Sequence, residues 1–143
     1  MPIFTSTGDH HLDLWLVDGS PNFSIFPAGI VPELTTDTPI RLKVGNPSFG
    51  ATHIQKHARW YQQNGFKSAP ELVFFKLSQP GMVYCTEKES KIKIMMQLKP
   101  SALLVLDFFD KGDPHLSVTT IYYNNSTLDG ELIGRYPGRR LRG

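Results

Sequence analysis

Strict alternation of apolar and polar side chains is clearest in the second half of the chain. From Lys91 to Leu98, Ile92, Ile94, Met96 and Leu98 fall on one side and Lys91, Lys93 and Gln97 on the other, the period of a strand buried on one face. Met82 to Thr86 is a shorter candidate just before it. Ala102 to Phe109 is nearly all apolar and reads as a central strand, and His115 to Tyr123 is rich in β-branched and aromatic residues. Lys99-Pro100-Ser101 and Lys111-Gly112-Asp113-Pro114 supply turns, and links this short make consecutive strands antiparallel neighbours. A four-stranded antiparallel meander is predicted.

Upstream the period lengthens. Between Phe49 and Gln63, Ile54, Ala58 and Tyr61 recur at spacings of four and three and form one apolar stripe of a helix, with His53, His57 and Trp60 on the adjacent stripe. Asn64-Gly65 suits a left-handed C-terminal cap. A second helix opens at Ser68, where Ser68 and Glu71 have capping-box spacing, and runs through Leu72, Val73, Phe75 and Lys76 to Gln79-Pro80-Gly81. Ahead of both, Ile40, Leu42 and Val44 alternate with Arg41 and Lys43 as in a half-buried strand, which Gly45-Asn46-Pro47-Ser48 breaks. The first 39 residues hold Pro21, Pro27, Pro32 and Pro39, with an apolar run Leu12 to Val17 ending at Asp18-Gly19-Ser20; they read as an irregular arm with one or two short strands. Two helices followed by a meander define an α+β class. One domain is predicted over residues 1–143, with an N-terminal arm (1–39), a core (40–123) and a basic tail (124–143).

Composition narrows the function without choosing it. At 143 residues, 40% apolar and 20% charged, the chain can bury a single core and has no disordered signature. The longest apolar run, Ala102 to Phe109, is interrupted by Asp107 and falls far short of the roughly 18 residues of a membrane span. Met1 to Asp9 lacks the basic start and apolar stretch of a signal peptide. The lone Cys85 cannot form an internal disulfide, which fits a reducing compartment and a buried, inert thiol; a cytoplasmic protein is expected, or one delivered into a target cell. The formal charge is only +2, but Lys88, Lys91, Lys93 and Lys99 face a single Glu89, and Arg135, Arg139, Arg140 and Arg142 a single Glu131. Such clusters attract phosphate backbones and equally serve as a solvated strand face and a basic tail.

Two constellations can carry chemistry. In Thr52-His53-Ile54-Gln55-Lys56-His57 the helical spacing brings both imidazoles to one ligand or substrate. A zinc protease would need glutamate where Ile54 stands, and no third ligand has metal-site spacing, so neither metal nor cofactor is expected. The pair then serves as a solvated polar face or as an acid–base couple titrating near neutral pH, with Lys56 favouring bound anions. In Val118-Thr119-Thr120-Ile121-Tyr122-Tyr123, alternation places Thr120 and Tyr122 on one face and Thr119 and Tyr123 on the other. These are good strand formers, and equally hydroxyl donors suited to a phosphate or an oxyanion. His10-His11 reads as an exposed pair, His115 as a turn residue without a partner, and Asp107, Asp110 and Asp113 as groups solvating a turn. No phosphate loop, dinucleotide fingerprint or nucleophile elbow occurs.

Taken together, Ile40-x-Leu42-x-Val44-Gly45, Phe49-Gly50-x-x-His53-Ile54-x-x-x-His57 and Val118-x-Thr120-x-Tyr122 resemble the phage and polymorphic-toxin nucleases of the barnase, EndoU, colicin and RelE-like superfamily. The resemblance covers roughly residues 40–123. It implies a helix-plus-antiparallel-sheet fold, metal-independent endoribonuclease activity, and a toxin countered by an immunity or antitoxin protein. The family's helix histidines fall on His53 and His57 and its strand hydroxyls on Thr120 and Tyr122, with Lys56, Lys91, Lys93 and Arg135 as the basic residues left to bind RNA. The implied mechanism has His57 take the proton of a ribose 2′-hydroxyl, which attacks phosphorus to give a 2′,3′-cyclic phosphate, while His53 or Tyr122 protonates the leaving 5′-oxygen. Members often have proline directly after the aromatic residue; here Tyr123-Asn124-Asn125 follows, and the arginine-rich tail has no counterpart. Two alternatives differ in kind. One is a non-catalytic interaction module with both histidines open to solvent. The other is an RNA-binding protein that uses the Lys91 and Lys93 face with Tyr122 and Tyr123 as stacking platforms.

Overall fold

A computed structural model describes residues 2–88, 91–98, 101–110, 112–124 and 131–139, excluding the side chains of residues 85–88 and Lys91. The α+β class stands, built on a larger sheet than the meander. A ribbon of β1 (Phe4–Ser6) and β2 (Trp15–Val17) stands apart. The main sheet has seven strands in the order β3 (Ser24–Phe26), β4 (Thr38–Arg41), β8 (His115–Tyr123), β7 (Ala102–Phe109), β6 (Lys91–Leu98), β5 (Gly81–Lys88) and β9 (Leu132–Tyr136). The four meander strands are antiparallel, whereas β4 lies parallel to β8, with Ile40 opposite Leu116.

Residues read as an arm and a tail thus extend the sheet at both ends. β3 and β4 carry Phe26 and Ile40 into the core, where Phe23, Val31 and Leu34 join them. β9, which includes Gly134 and Arg135, pairs antiparallel with β5. The strand expected over Ile40 to Val44 is instead Thr38–Arg41, and Lys43, expected on its polar face, is buried. Tertiary pairing overrides the local pattern here, because a four-residue strand has too few positions for alternation to fix its bounds.

The two faces of the sheet differ. Val83, Ile94, Met96, Leu104, Leu106, Leu116, Val118 and Ile121 are solvent-free and pack on Leu72, Val73 and Leu77; full burial of such a side chain contributes about 1.5–3 kcal/mol. Met82, Lys93, Met95, Gln97, Asp107, Thr119, Thr120 and Tyr122 are only partly covered. The sheet also rolls around its core, since side chains link its two end strands. Ser24 Oγ lies 2.5 Å from Tyr136 Oη, and the Phe26 and Tyr136 rings stack 6.3 Å apart. The Tyr136 hydroxyl also donates to the Leu77 carbonyl at 2.6 Å. Arg139 Nη1 donates to the Phe23 and Phe74 carbonyls, with its guanidinium 3.5 Å from the Phe74 ring centroid. Burial, partly offset by the Ser24 hydrogen bond and the Arg139 charge, pushes the Tyr136 phenol up to about 12.

The long helix expected from Phe49 to Gln63 is broken in two, α1 (Gly50–Ile54) and α2 (Ala58–Gln63), around a 3-10 turn at Gln55–His57. A 3-10 segment turns about 120° per residue against about 100° for an α-helix, so three residues re-aim α2 by roughly 60°. Ile54 and Tyr61 both remain buried across the break. α2 ends before Gly65, whose φ is +90°. α3 (Ala69–Lys76) starts at the Ser68 cap, which accepts the Glu71 amide at 3.3 Å, while Glu71 Oε1 accepts the Lys67 amide at 3.0 Å. Among the described residues no helix is long and apolar enough to cross a membrane.

Candidate active site

β4 covers only Leu116 and Ser117 of β8, and α1 packs against β8 as well. The helix is tied to the end of β4: the Ala51 and Thr52 amides donate to the Lys43 and Val44 carbonyls, both at 3.0 Å. The connecting loop depends on two glycines. Gly45 has φ +78°, and a Cβ there would lie 2.1 Å from the Phe49 carbonyl oxygen; Gly50 has φ +75°, with the Lys43 oxygen 2.7 Å from its Cβ position. Only a residue without a side chain allows these approaches.

That anchorage sets the histidines against the open end of β8. His53 Nδ1 lies 2.7 Å from the Pro47 carbonyl oxygen. A carbonyl only accepts, so Nδ1 carries the hydrogen and Nε2 is left for other partners. The His53 and His57 rings are 6.4 Å apart and perpendicular, and the His57 ring lies 5.7 Å from Tyr122, tilted by 33°. Burial, then the charges of Lys56 and His53, pull the His57 imidazole below its usual range. It is therefore neutral at neutral pH, with a lone pair able to accept a proton. One helical turn on, Trp60 meets Tyr123 edge-on at 6.3 Å.

Thr120 sits beside a bulge. Val105 is opposite Thr120 and Leu106 opposite Val118, so Thr119 is an extra residue in β8. This overturns the simple alternation: Thr119 donates to the Asp107 carboxylate, on the same face as Thr120 and Tyr122 rather than the opposite one. The Thr120 hydroxyl is shielded from solvent and has no hydrogen-bond partner among the described residues.

His53, His57, Tyr122 and the exposed Lys56 adjoin one another, with Thr120 two residues before Tyr122 on its face. The remaining basic residues lie farther off. Lys93 is level with Ser117, and Gln97 is the β6 residue level with Tyr122. Lys93 is thus about 13 Å along and about 10 Å across the sheet from that level. Lys91 is farther along β6, and its side chain lies outside the described residues, as do the Cys85 and Lys88 side chains and all of Lys99, Arg140 and Arg142. Arg135 is on β9, four strands from β8 or about 19 Å. It lines a cavity of about 670 Å³ between β3 and residues 135–139, apart from the histidines.

Several charged groups take places their sequence context did not suggest. The buried Lys43 holds its ammonium 3.7 Å from the Phe109 ring centroid; burial lowers its pKa and the Asp107 charge opposes that. His115, read as a turn residue without a partner, stacks on Phe109 at 5.4 Å and places Nδ1 2.9 Å from the Asp113 carbonyl oxygen. Asp113 pairs with Arg41 at 2.7 Å. The visible signal was Asp107, the one charge inside the apolar run of β7. Among the described residues no three His, Cys, Asp or Glu side chains group as a metal site. No family model matches the chain, and no curated protein or solved structure matches it at a significant level.

Proposed function

We propose that the protein is a metal-independent endoribonuclease of the toxin type, as its resemblance to the barnase, EndoU, colicin and RelE-like superfamily implies. The observation that carries the reading is the His57 ring held 5.7 Å from Tyr122 and beside His53, where burial lowers its pKa. His57 takes the proton of a ribose 2′-hydroxyl; the 2′-oxygen attacks the adjacent phosphorus and the bond to the 5′-oxygen breaks. The Tyr122 hydroxyl, or Nε2 of a His53 that carries hydrogens on both ring nitrogens, gives a proton to that oxygen, leaving a 2′,3′-cyclic phosphate and a 5′-hydroxyl. Lys56 stabilises charge on the non-bridging oxygens, whereas the Thr120 hydroxyl, shielded from solvent, does not reach them in this conformation. Lys93 and Arg135 are too far from Tyr122 to touch the reacting phosphate and serve, in this reading, only a longer RNA crossing the sheet. An immunity or antitoxin partner and action in the cytoplasm belong to the same proposal.

The test is incubation with RNA, with and without a chelator, beside His57→Ala. Cleavage to cyclic-phosphate ends that ignores chelator, spares DNA and falls by about 10²–10⁴ in the variant is expected. Undiminished cleavage by His57→Ala, or its abolition by chelator, overturns the proposal. Because His57 works as a base and its pKa is lowered, the rate should stay on its plateau somewhat below pH 6.5 before falling with acid.

A further inference from the structure

Tyr122 and Tyr123 are consecutive on β8, and His57 and Trp60 are one helical turn apart, so the two ring pairs sit next to each other. A strand sends consecutive side chains to opposite faces, yet each tyrosine meets a ring from the 55–63 segment. Tyr123 is not a core residue. Its ring is 53% exposed at the end of β8, whereas Trp60 is half-buried against the core and its carbonyl accepts Nδ2 of the Asn64 side chain at 2.9 Å. The result is an aromatic surface that is firm on the tryptophan side, open on the tyrosine side, and next to the proposed proton-transfer pair.

We propose that Trp60 and Tyr123 form a nucleobase subsite, on which the base of a nucleotide next to the scissile phosphate stacks. This deepens the endoribonuclease reading and rests on it. Every base offers a π-face, so the stack tolerates sequence; a base already paired in a duplex is not free to enter it, so the substrate class is single-stranded or locally unpaired RNA. Stacking here also holds the sugar and phosphate of that nucleotide near His57, which makes Tyr123 a positioning residue.

The probe is a single-stranded 2′-deoxy oligonucleotide, which binds but lacks the attacking hydroxyl. Trp15 and Trp60 are the only tryptophans, so in a Trp15→Phe background the emission reports Trp60. Saturable quenching is expected, with Kd raised roughly ten- to hundredfold by Tyr123→Ala. Anisotropy of a labelled oligonucleotide should give the same ratio with Trp15 in place. An abasic residue walked along the probe should weaken binding to the parent at one position and have no further effect at that position on Tyr123→Ala; the same sequence as a duplex should bind more weakly. Absence of binding, equal Kd for Tyr123→Ala and the parent, or indifference to every abasic position would overturn the subsite. Failure of the cleavage reading shows separately, as an undiminished rate for His57→Ala.

Discussion

Tyr136→Phe removes one oxygen from a side chain with no solvent exposure and leaves its stack on Phe26 in place. The Tyr136 hydroxyl donates to the Leu77 carbonyl, so the bond to Ser24 must run the other way, from the serine hydroxyl to the tyrosine oxygen. Without that oxygen, Ser24, 4% exposed, holds a donor with no acceptor, whereas the Leu77 carbonyl still accepts the Arg139 amide at 2.8 Å. One lost hydrogen bond and one stranded hydroxyl cost roughly 2–3 kcal/mol. At about 3 °C per kcal/mol for a domain of this size, the melting temperature should fall by roughly 6–9 °C. Thermal melts followed by circular dichroism measure it, and Ser24→Ala should recover part of the loss in the Tyr136→Phe background, because removing both partners leaves nothing stranded. Alkali gives a second readout. The phenol titrates at about 12 in the folded chain and at about 10 when unfolded, so its contribution is complete below pH 10 and lost as the pH rises through 12. Tyr136→Phe should lack that loss. A variant that melts with the parent, or a Ser24→Ala cost that is the same in both backgrounds, would refute the reasoning.

Gly45→Ala should cost roughly 2–3 kcal/mol or more and lower RNA cleavage in the molecules that still fold, since the new methyl collides with the Phe49 carbonyl in the loop that places α1. Gly19→Ala, with φ +81° but open space around it, is the control and should cost about 1 kcal/mol without touching activity. Stability should fall in acid: burial lowers both His57 and His115, so the unfolded chain takes up protons first, and their contribution is complete above about pH 6.5 and lost as the pH drops toward their folded values. Denaturant titrations at several pH values measure this, and His115→Gln should flatten the acid limb; an unchanged limb would rule out His115 as a source.

The legible parts of the fold are those written in neighbouring residues. β6, β7 and β8 occupy the spans their patterns mark, and Ser68 caps α3 as its spacing with Glu71 requires, because alternation and capping are local. The partners of β4 and β9 were not legible, since nothing within four or five residues states which distant edge they join. The helix break at His57 and the bulge at Thr119 are likewise tertiary: each fits one element against another. For the candidate site, helical spacing paired His53 with His57 and strand alternation paired Thr120 with Tyr122, but only the family resemblance set the two pairs together. The sequence could not show that Lys93 lies level with Ser117 instead of Tyr122, because register between strands is a relation between segments.

The bridge from Ser24 to Tyr136 spans 112 residues, which bears on the order in which the molecule assembles. Closing a loop of that length costs about 0.6 kcal/mol per doubling, roughly 3 kcal/mol beyond the short link between β6 and β7. Hairpins among β5 to β8 can therefore form early, while the seam between β3 and β9 waits until both edges exist. A group that docks after the rate-limiting step affects escape more than entry. Tyr136→Phe should accordingly leave the refolding arm of a chevron plot where it was and raise the unfolding rate, so that this tyrosine governs how long the closed sheet lasts instead of how fast it is reached.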